Sequence, residues 1–283
     1  MSGRIPGRAV KLAAAILVAV AVSAVGAGAA SAKVVYDNIP KVLPANFASI
    51  GFAATSTSEL GGEVELTKVS ANHPEGLGVT AVMSSWTCQS GSWNEDNCVT
   101  MPGSTFAWPI TVKLYEVSAG GEPVGPIAEE TQTFNIPYRP SASPQCKGEL
   151  AGTWLWTHGS GKKATHACAN GLAAAIAFAP LTVKAPVPKK LIVSLAYNTE
   201  NYGAHPTGEE GPENSLNVAL SESWEGTLSR GSDPTEGLYA NSNYSAMYCG
   251  SSEHLDMFAF TGTCWGEEGG YQPVIKVTAA GFG

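Results

Sequence analysis

The sequence predicts an all-β protein, a sandwich or barrel of short strands whose long loops are stapled by disulfides. Three observations carry that reading: apolar side chains recur at every second position, Gly and Pro punctuate the runs, and six cysteines follow an apolar leader. Gly 32 and Pro 18 supply 50 of the 283 residues, well above the roughly 12% usual for the pair. Hydrophobic residues reach 44% and charged residues only 14%, a balance that fills a core and excludes wholesale disorder.

Residues 47–54 are the first candidate strand. Val64 and Leu66, then Leu77, Val79, Ala81 and Met83, then Ile110, Val112 and Leu114 follow with period-two alternation. Residues 127–136, 172–178, 191–197, 215–220 and 273–279 complete the set. The Ala-rich run 172–179 also suits a short helix, but its bulky positions, Leu172, Ile176 and Phe178, keep the strand period and Pro180 stops it. Gly61-Gly62, Gly120-Gly121, Gly125-Pro126, Gly211-Pro212 and Gly269-Gly270 read as turns between strands, and no long helix is predicted. Residues 198–273 are poor in bulky aliphatics and rich in Gly, Ser, Asn, Glu and Tyr, so they read as a loop-rich decoration of a single domain spanning 33–283.

Arg4, Arg8 and Lys11 precede an uncharged stretch that ends in Ala30-Ser31-Ala32, the layout of a secretory signal peptide over residues 1–32. The rival reading is a membrane anchor, since 12–32 is long enough to span a bilayer. Its second half of Gly, Ala and Ser fits a peptidase site better than hydrocarbon, so secretion to the extracellular space without a transmembrane anchor is expected. Cleavage removes three of the 16 basic groups and none of the 24 acidic ones, leaving net −11. With two arginines left after cleavage, Arg139 and Arg230, and scattered lysines, the mature chain presents no basic stripe, and nucleic acid is not an expected partner.

Cys88, Cys98, Cys146, Cys168, Cys249 and Cys264 all follow the cleavage site, so three disulfides are expected in an oxidising compartment. The spacing favours sequential partners: 88 with 98, 146 with 168, and 249 with 264. Zinc is disfavoured because no C-x-x-C pair occurs.

Several motifs stand out: Val35-Tyr36-Asp37-Asn38-Ile39-Pro40, Phe52-Ala53-Ala54-Thr55, Ser84-Ser85-Trp86-Thr87-Cys88-Gln89-Ser90-Gly91, and Ile136-Pro137-Tyr138-Arg139-Pro140-Ser141-Ala142. On these the chain resembles a family of uncharacterised secreted bacterial proteins of actinobacterial type, over most of residues 34–220. More loosely, the order of "YDN", a strand, then a strand running into Leu114-Tyr115 is similar to choice-of-anchor jelly rolls, relatives of the galactose-binding sandwiches. The resemblance implies a jelly roll and a surface or matrix role. It supplies no catalytic residues.

Aromatic residues crowd the expected disulfide loops: Trp86, Trp93, Trp154, Trp156, Tyr244, Tyr248 and Trp265. An exposed indole stacks on the apolar face of a sugar while nearby polar groups take its hydroxyls, so Trp93, Trp156, Tyr244 and Trp265 are the candidate ligand-binding set. The bland reading assigns Trp86, Trp154 and Trp265 to shielding the disulfides. His158 and His166 beside Trp156 are a conceivable metal pair, but their spacing follows no zinc pattern and they read as solvated loop residues. Acidic clusters at 95–96, 209–214 and 233–236 offer oxygens for a structural calcium, yet none matches an EF-hand and they too read as solvated turns. No cofactor is predicted. G-x-S-x-G is absent, and 159–163 lacks the glycine and hydroxyl of a P-loop. The expected function is a secreted, non-catalytic binding or matrix module for glycan or cell-envelope surface. The alternatives are a structural or adhesive extracellular protein and a polysaccharide hydrolase with two carboxylates facing across a cleft.

Overall fold

A computed structural model describes residues 32–67, 76–92, 95–183, 186–198, 215–222, 228–235, 237–242, 249, 254–262, 264 and 270–279. Residues 1–31 of the expected signal peptide lie outside the described residues. β1 (Lys33–Asp37) is followed by a single helical turn, α1 (Phe52–Thr55), then β2 (Glu59–Glu65), β3 (Leu77–Ser85), β4 (Thr105–Val117) and β5 (Pro123–Pro137). Next come β6 (Trp154–His158), β7 (Thr165–Ala169), β8 (Leu172–Ala177) and β9 (Lys190–Ala196). β10 (Leu216–Val218), β11 (Leu220–Glu222), β12 (Leu238–Ser242), β13 (His254–Gly262), β14 (Tyr271–Pro273) and β15 (Ile275–Ala279) complete the order.

The fold is an all-β sandwich of antiparallel sheets. A six-stranded sheet runs β13-β12-β2-β9-β4-β5, and a five-stranded sheet runs β1-β15-β3-β10 with β8 on the other edge of β3. Period-two alternation aims one row of each strand into a shared core: Leu77, Val79, Ala81 and Met83 from β3, Phe106, Trp108, Ile110, Val112 and Leu114 from β4, and Leu191, Val193 and Leu195 from β9. Full burial of each large aliphatic or aromatic side chain contributes about 1.5–3 kcal/mol, and the close packing of both rows is what fixes strand register. Among the described residues no helix is long and apolar enough to cross a membrane.

Three local expectations are corrected. Residues 47–54 do not form a strand. Phe52–Thr55 make a helical turn that ends on Ser56 at φ 48, because Phe52 is buried in a stack on Tyr197 (centroids 4.8 Å apart) and its N–H donates to Asn217 Oδ1 at 3.0 Å. Gly61-Gly62 is no turn but the middle of β2, where the missing side chains let the backbone approach its neighbours: a Cβ on Gly61 would lie 2.8 Å from Ser194 Cβ, and one on Gly62 would collide with Gln272. Gly125-Pro126 lies inside β5, and a proline is tolerated there because β5 is an edge strand. Within the loop-rich region 198–273 the described residues hold β10 to β14, with β10 inside the expected strand 215–220.

The second edge of β3 is divided between two strands. β15 pairs with its first half, β10 with its second, and between them Val82 N–H donates to Val274 O (2.9 Å), Val274 N–H to Ala219 O (2.9 Å) and Ala219 N–H to Val82 O (3.0 Å). This closed triangle sends β11 and β14 off as a separate ribbon. Asn38, 2% exposed, seals the junction: its Oδ1 accepts from Ile275 N–H at 2.7 Å and its Nδ2 donates to Pro273 O at 3.0 Å. The neighbouring Tyr36 hydroxyl donates to Asp233 at 2.5 Å, and Asp37 Oδ1 accepts from Ile39 N–H at 3.0 Å. The Tyr36-Asp37-Asn38 triplet is therefore internal wiring. Replacing Asn38 by Ala strands a buried donor and a buried acceptor, so Asn38→Ala is expected to lose about 2–5 kcal/mol in urea unfolding. Asn38→Asp, which retains the acceptor but buries a charge, should fare no better; a loss under about 1 kcal/mol for both would remove the sealing role.

Candidate functional site

β6 and β7 form a hairpin that stands apart from the two sheets, pairing Trp154 with Ala169, Trp156 with Ala167 and His158 with Thr165. Its base is fixed by the Cys146–Cys168 disulfide and by Trp154, buried, whose Nε1 donates to Gly171 O at 2.9 Å. Alternation then lifts the next two side chains of that face progressively into solvent: Trp156 is half-buried and His158 exposed. Their rings stack with centroids 5.2 Å apart and planes 26° from parallel. The residues opposite them are Ala167 and Thr165, so nothing bulky overhangs the indole from the partner strand.

The opposite face of the hairpin carries Leu155, Cys168 and the pair Thr157 and His166, bonded at 2.9 Å between Thr157 Oγ1 and His166 Nδ1. His158 and His166 thus point to opposite sides, and a shared metal is ruled out by register rather than by chemistry. Trp93, Tyr244, Tyr248 and Trp265 lie outside the described residues. Trp86 Nε1 donates to Ser84 Oγ at 2.9 Å, which in turn bonds Asn46 Oδ1 at 2.6 Å, so this indole is tied into the strand end.

The acidic clusters divide. Asp96 is exposed, residues 209–214 and Glu236 lie outside the described residues, and Asp233 departs from the expected solvated turn. It is half-buried against Tyr36, and burial pushes its carboxyl above the usual range while the tyrosine hydrogen bond pulls back. Among the described residues no three His, Cys, Asp or Glu gather to hold a metal.

Sequence reasoning missed a polar network on the outer face of the six-stranded sheet. Glu59 Oε1 accepts from Tyr115 Oη (2.8 Å) and Ser194 Oγ (2.6 Å), and Oε2 pairs with Lys113 Nζ (2.8 Å). Around it Tyr115, Ile192 and Tyr239 form a small second apolar cluster, with Phe258 stacked on Tyr115 at 5.0 Å. A carboxylate with three donors is held in place rather than offered to a substrate. Two residues beyond the intervening Gly61, Glu63 has its carboxyl pushed up by burial, with Lys190 3.8 Å away opposing. Glu59 and Glu63 share a face four residues apart, about 13 Å along an extended strand and beyond the spacing of a glycosidase pair. A shallow pocket of ≈ 320 Å³ nearby is lined by Glu65, Leu66, Thr67, Lys189, Gly231 and Ser232. Its one carboxylate, Glu65, is tied to Lys189 and to Ser232 Oγ (3.0 Å), which together hold it below the usual range.

The Ile136-to-Ala142 motif is also interior. Tyr138 packs on Phe106 with centroids 4.8 Å apart, and Arg139 N–H donates to Thr87 O at 3.0 Å while its Nη2 reaches Gly152 O at 2.9 Å. No protein-family model, curated protein or solved structure matches the chain.

Proposed function

We propose that the chain is a secreted, non-catalytic module that binds polysaccharide of a matrix or cell envelope, with the Trp156–His158 stack as its contact surface. The observation that carries this reading is a half-buried indole held flat by a stacked imidazole, on a hairpin anchored at its base by Cys146–Cys168, with only alanine across from it. Rigid aromatic surface of this kind takes up the apolar face of a sugar ring at little entropic cost, while Thr165 on the same face and Ser160 in the turn supply hydroxyl partners. Export is supported by the leader-like residues 1–32 and by the pairing of all six cysteines.

Pull-down on a panel of insoluble polysaccharides tests it. Retention on at least one polymer is expected, with Trp156→Ala losing about tenfold in affinity, roughly 1.4 kcal/mol, and His158→Ala losing less. Retention on none, or unchanged retention of Trp156→Ala, would count against it. The structural or adhesive alternative draws on Trp154 and Trp86, whose indoles are tied into the scaffold, and it is the reading that total lack of retention would favour.

A further inference from the structure

The turn that closes the β6-β7 hairpin carries Lys162 and Lys163, both exposed, in a single 3-10 turn over Gly161–Lys163. The lysines on and beside the six-stranded sheet are matched: Lys113 lies against Glu59, Lys189 against Glu65 and Lys190 against Glu63. Among the described residues neither Lys162 nor Lys163 has a carboxylate at ion-pair distance. The sequence isolates them further, since no Asp or Glu occurs between Glu149 and Glu200 in a chain that has 24 acidic residues. Glu149 and Asp96, which lies against Gly152, belong to the base of the hairpin. From Trp154 at that base to His158 is about 13 Å along an extended strand, more than the Debye length of about 8 Å at physiological ionic strength. The two charges of the turn therefore act locally, largely screened from the acidic groups at the base.

Trp156 precedes His158 by about 7 Å along the strand, and the two lysines follow in the turn beyond it. A polymer lying along the hairpin thus crosses the indole first and the paired ammonium groups next. A neutral glycan uses the indole and the hydroxyl partners and leaves both charges idle. Polyphosphate uses the charges and offers the indole no ring. A uronic acid carries an apolar ring face and a carboxylate on one sugar, so a chain of them engages both features at once. Lysine suits such a ligand, because a compact charge on a flexible stem follows carboxylates at successive rings without the fixed fork of an arginine.

We propose that the polysaccharide taken up at Trp156 is a polyuronate, whose carboxylates pair with Lys162 and Lys163 in the hairpin turn. This assignment rests on the binding role proposed above for the Trp156–His158 stack. Immobilised polygalacturonate and its methyl ester, which keeps the sugar and removes the charge, test it with the full chain. Polygalacturonate is expected to bind about fivefold more tightly than the ester at about 0.02 M salt, the preference fading by about 0.5 M. Lys162→Gln with Lys163→Gln should bring polygalacturonate down to the level of the ester, and Lys162→Arg with Lys163→Arg should restore the preference. Trp156→Ala should weaken retention on both polymers about tenfold. Equal retention on the two polymers, a preference that survives the glutamine variant, or displacement by sodium polyphosphate as efficient as by free polygalacturonate would overturn the polyuronate assignment and leave the binding role standing. Retention on neither of these polymers, nor on any of the panel above, would overturn both.

Discussion

Raising the pH from about 9 to about 12 is expected to unfold the protein cooperatively, with tyrosinate absorbance appearing together with the loss of near-ultraviolet circular dichroism. Tyr36, Tyr115, Tyr138, Tyr197 and Tyr239 are all buried, and burial is the first cause that raises each phenol above its ordinary range. Carboxylates add to it: Asp233 accepts the Tyr36 hydroxyl, Glu59 accepts that of Tyr115, and Glu63 and Glu122 lie near Tyr239, which is pushed up to about 12. The folded values lie above the unfolded value of about 10, so the stabilisation is complete below pH 10 and is lost as pH rises, because the unfolded chain releases protons that the native state keeps. Each phenol contributes up to about 1.4 kcal/mol per pH unit, and the set up to about 7, against a total stability of about 5–15 kcal/mol. Arg139 works in the opposite direction: its folded value of about 10 lies below the unfolded one, so its buried charge is relieved as pH rises. One such group does not offset five. Gradual phenol titration with the dichroism intact would show that these hydroxyls are far more accessible than the packing requires.

That packing was only partly legible in the residues. β4 and the first half of β3 declare themselves because each buries one face, which writes a period of two into the sequence, and Ile176 and Phe178 do the same for the Ala-rich β8; β9, buried on both faces, shows instead as a short run of apolar residues. The cysteine pairs were readable from spacing because each bridge is local, separated by 10, 22 and 15 positions. The hairpin β6-β7 was not, since Trp154, Leu155 and Trp156 are apolar in succession and hide the alternation that separates its two faces. α1 was misread for a different reason: residues 47–54 carry enough apolar side chains for a strand, and the stack on Tyr197, 145 positions away in sequence, decides against it. The Glu59 network is the extreme case, with partners 54, 56 and 135 positions distant, a constellation that no local pattern encodes. Of the candidate site, sequence reasoning reached Trp156 through composition, but only the register of the hairpin shows which residues lie opposite it.

Full reduction is the other perturbation expected to rival total stability. Closing loops of 10, 22 and 15 positions removes unfolded-chain entropy worth about 3 kcal/mol each, so the three bridges together contribute about 9 kcal/mol. Two of the segments they close have little else to hold them, whereas the third, 249–264, carries β13 of the six-stranded sheet. Between Cys88 and Cys98 the backbone is tied by the Ser90–Val99 bridge and a few side-chain contacts, and the 146–168 loop holds a two-stranded hairpin that belongs to neither large sheet. Reduced protein should therefore melt about 20–30 °C lower than oxidised protein, to a degree that leaves it unfolded near body temperature. Single bridges should rank by loop length: Cys146→Ser with Cys168→Ser loses most, and Cys88→Ser with Cys98→Ser least on entropy alone. The 146–168 pair has a second consequence that the others lack. It frees the base of the hairpin carrying Trp156, so polysaccharide retention should fall further than the drop in stability explains, measured well below the melting point of the variant. A thermal midpoint indifferent to reductant would mean that the sheets alone hold the fold. Retention indifferent to the loss of Cys146–Cys168 would mean that the Trp156 surface needs no anchoring, and that its rigidity comes from the stack with His158 instead.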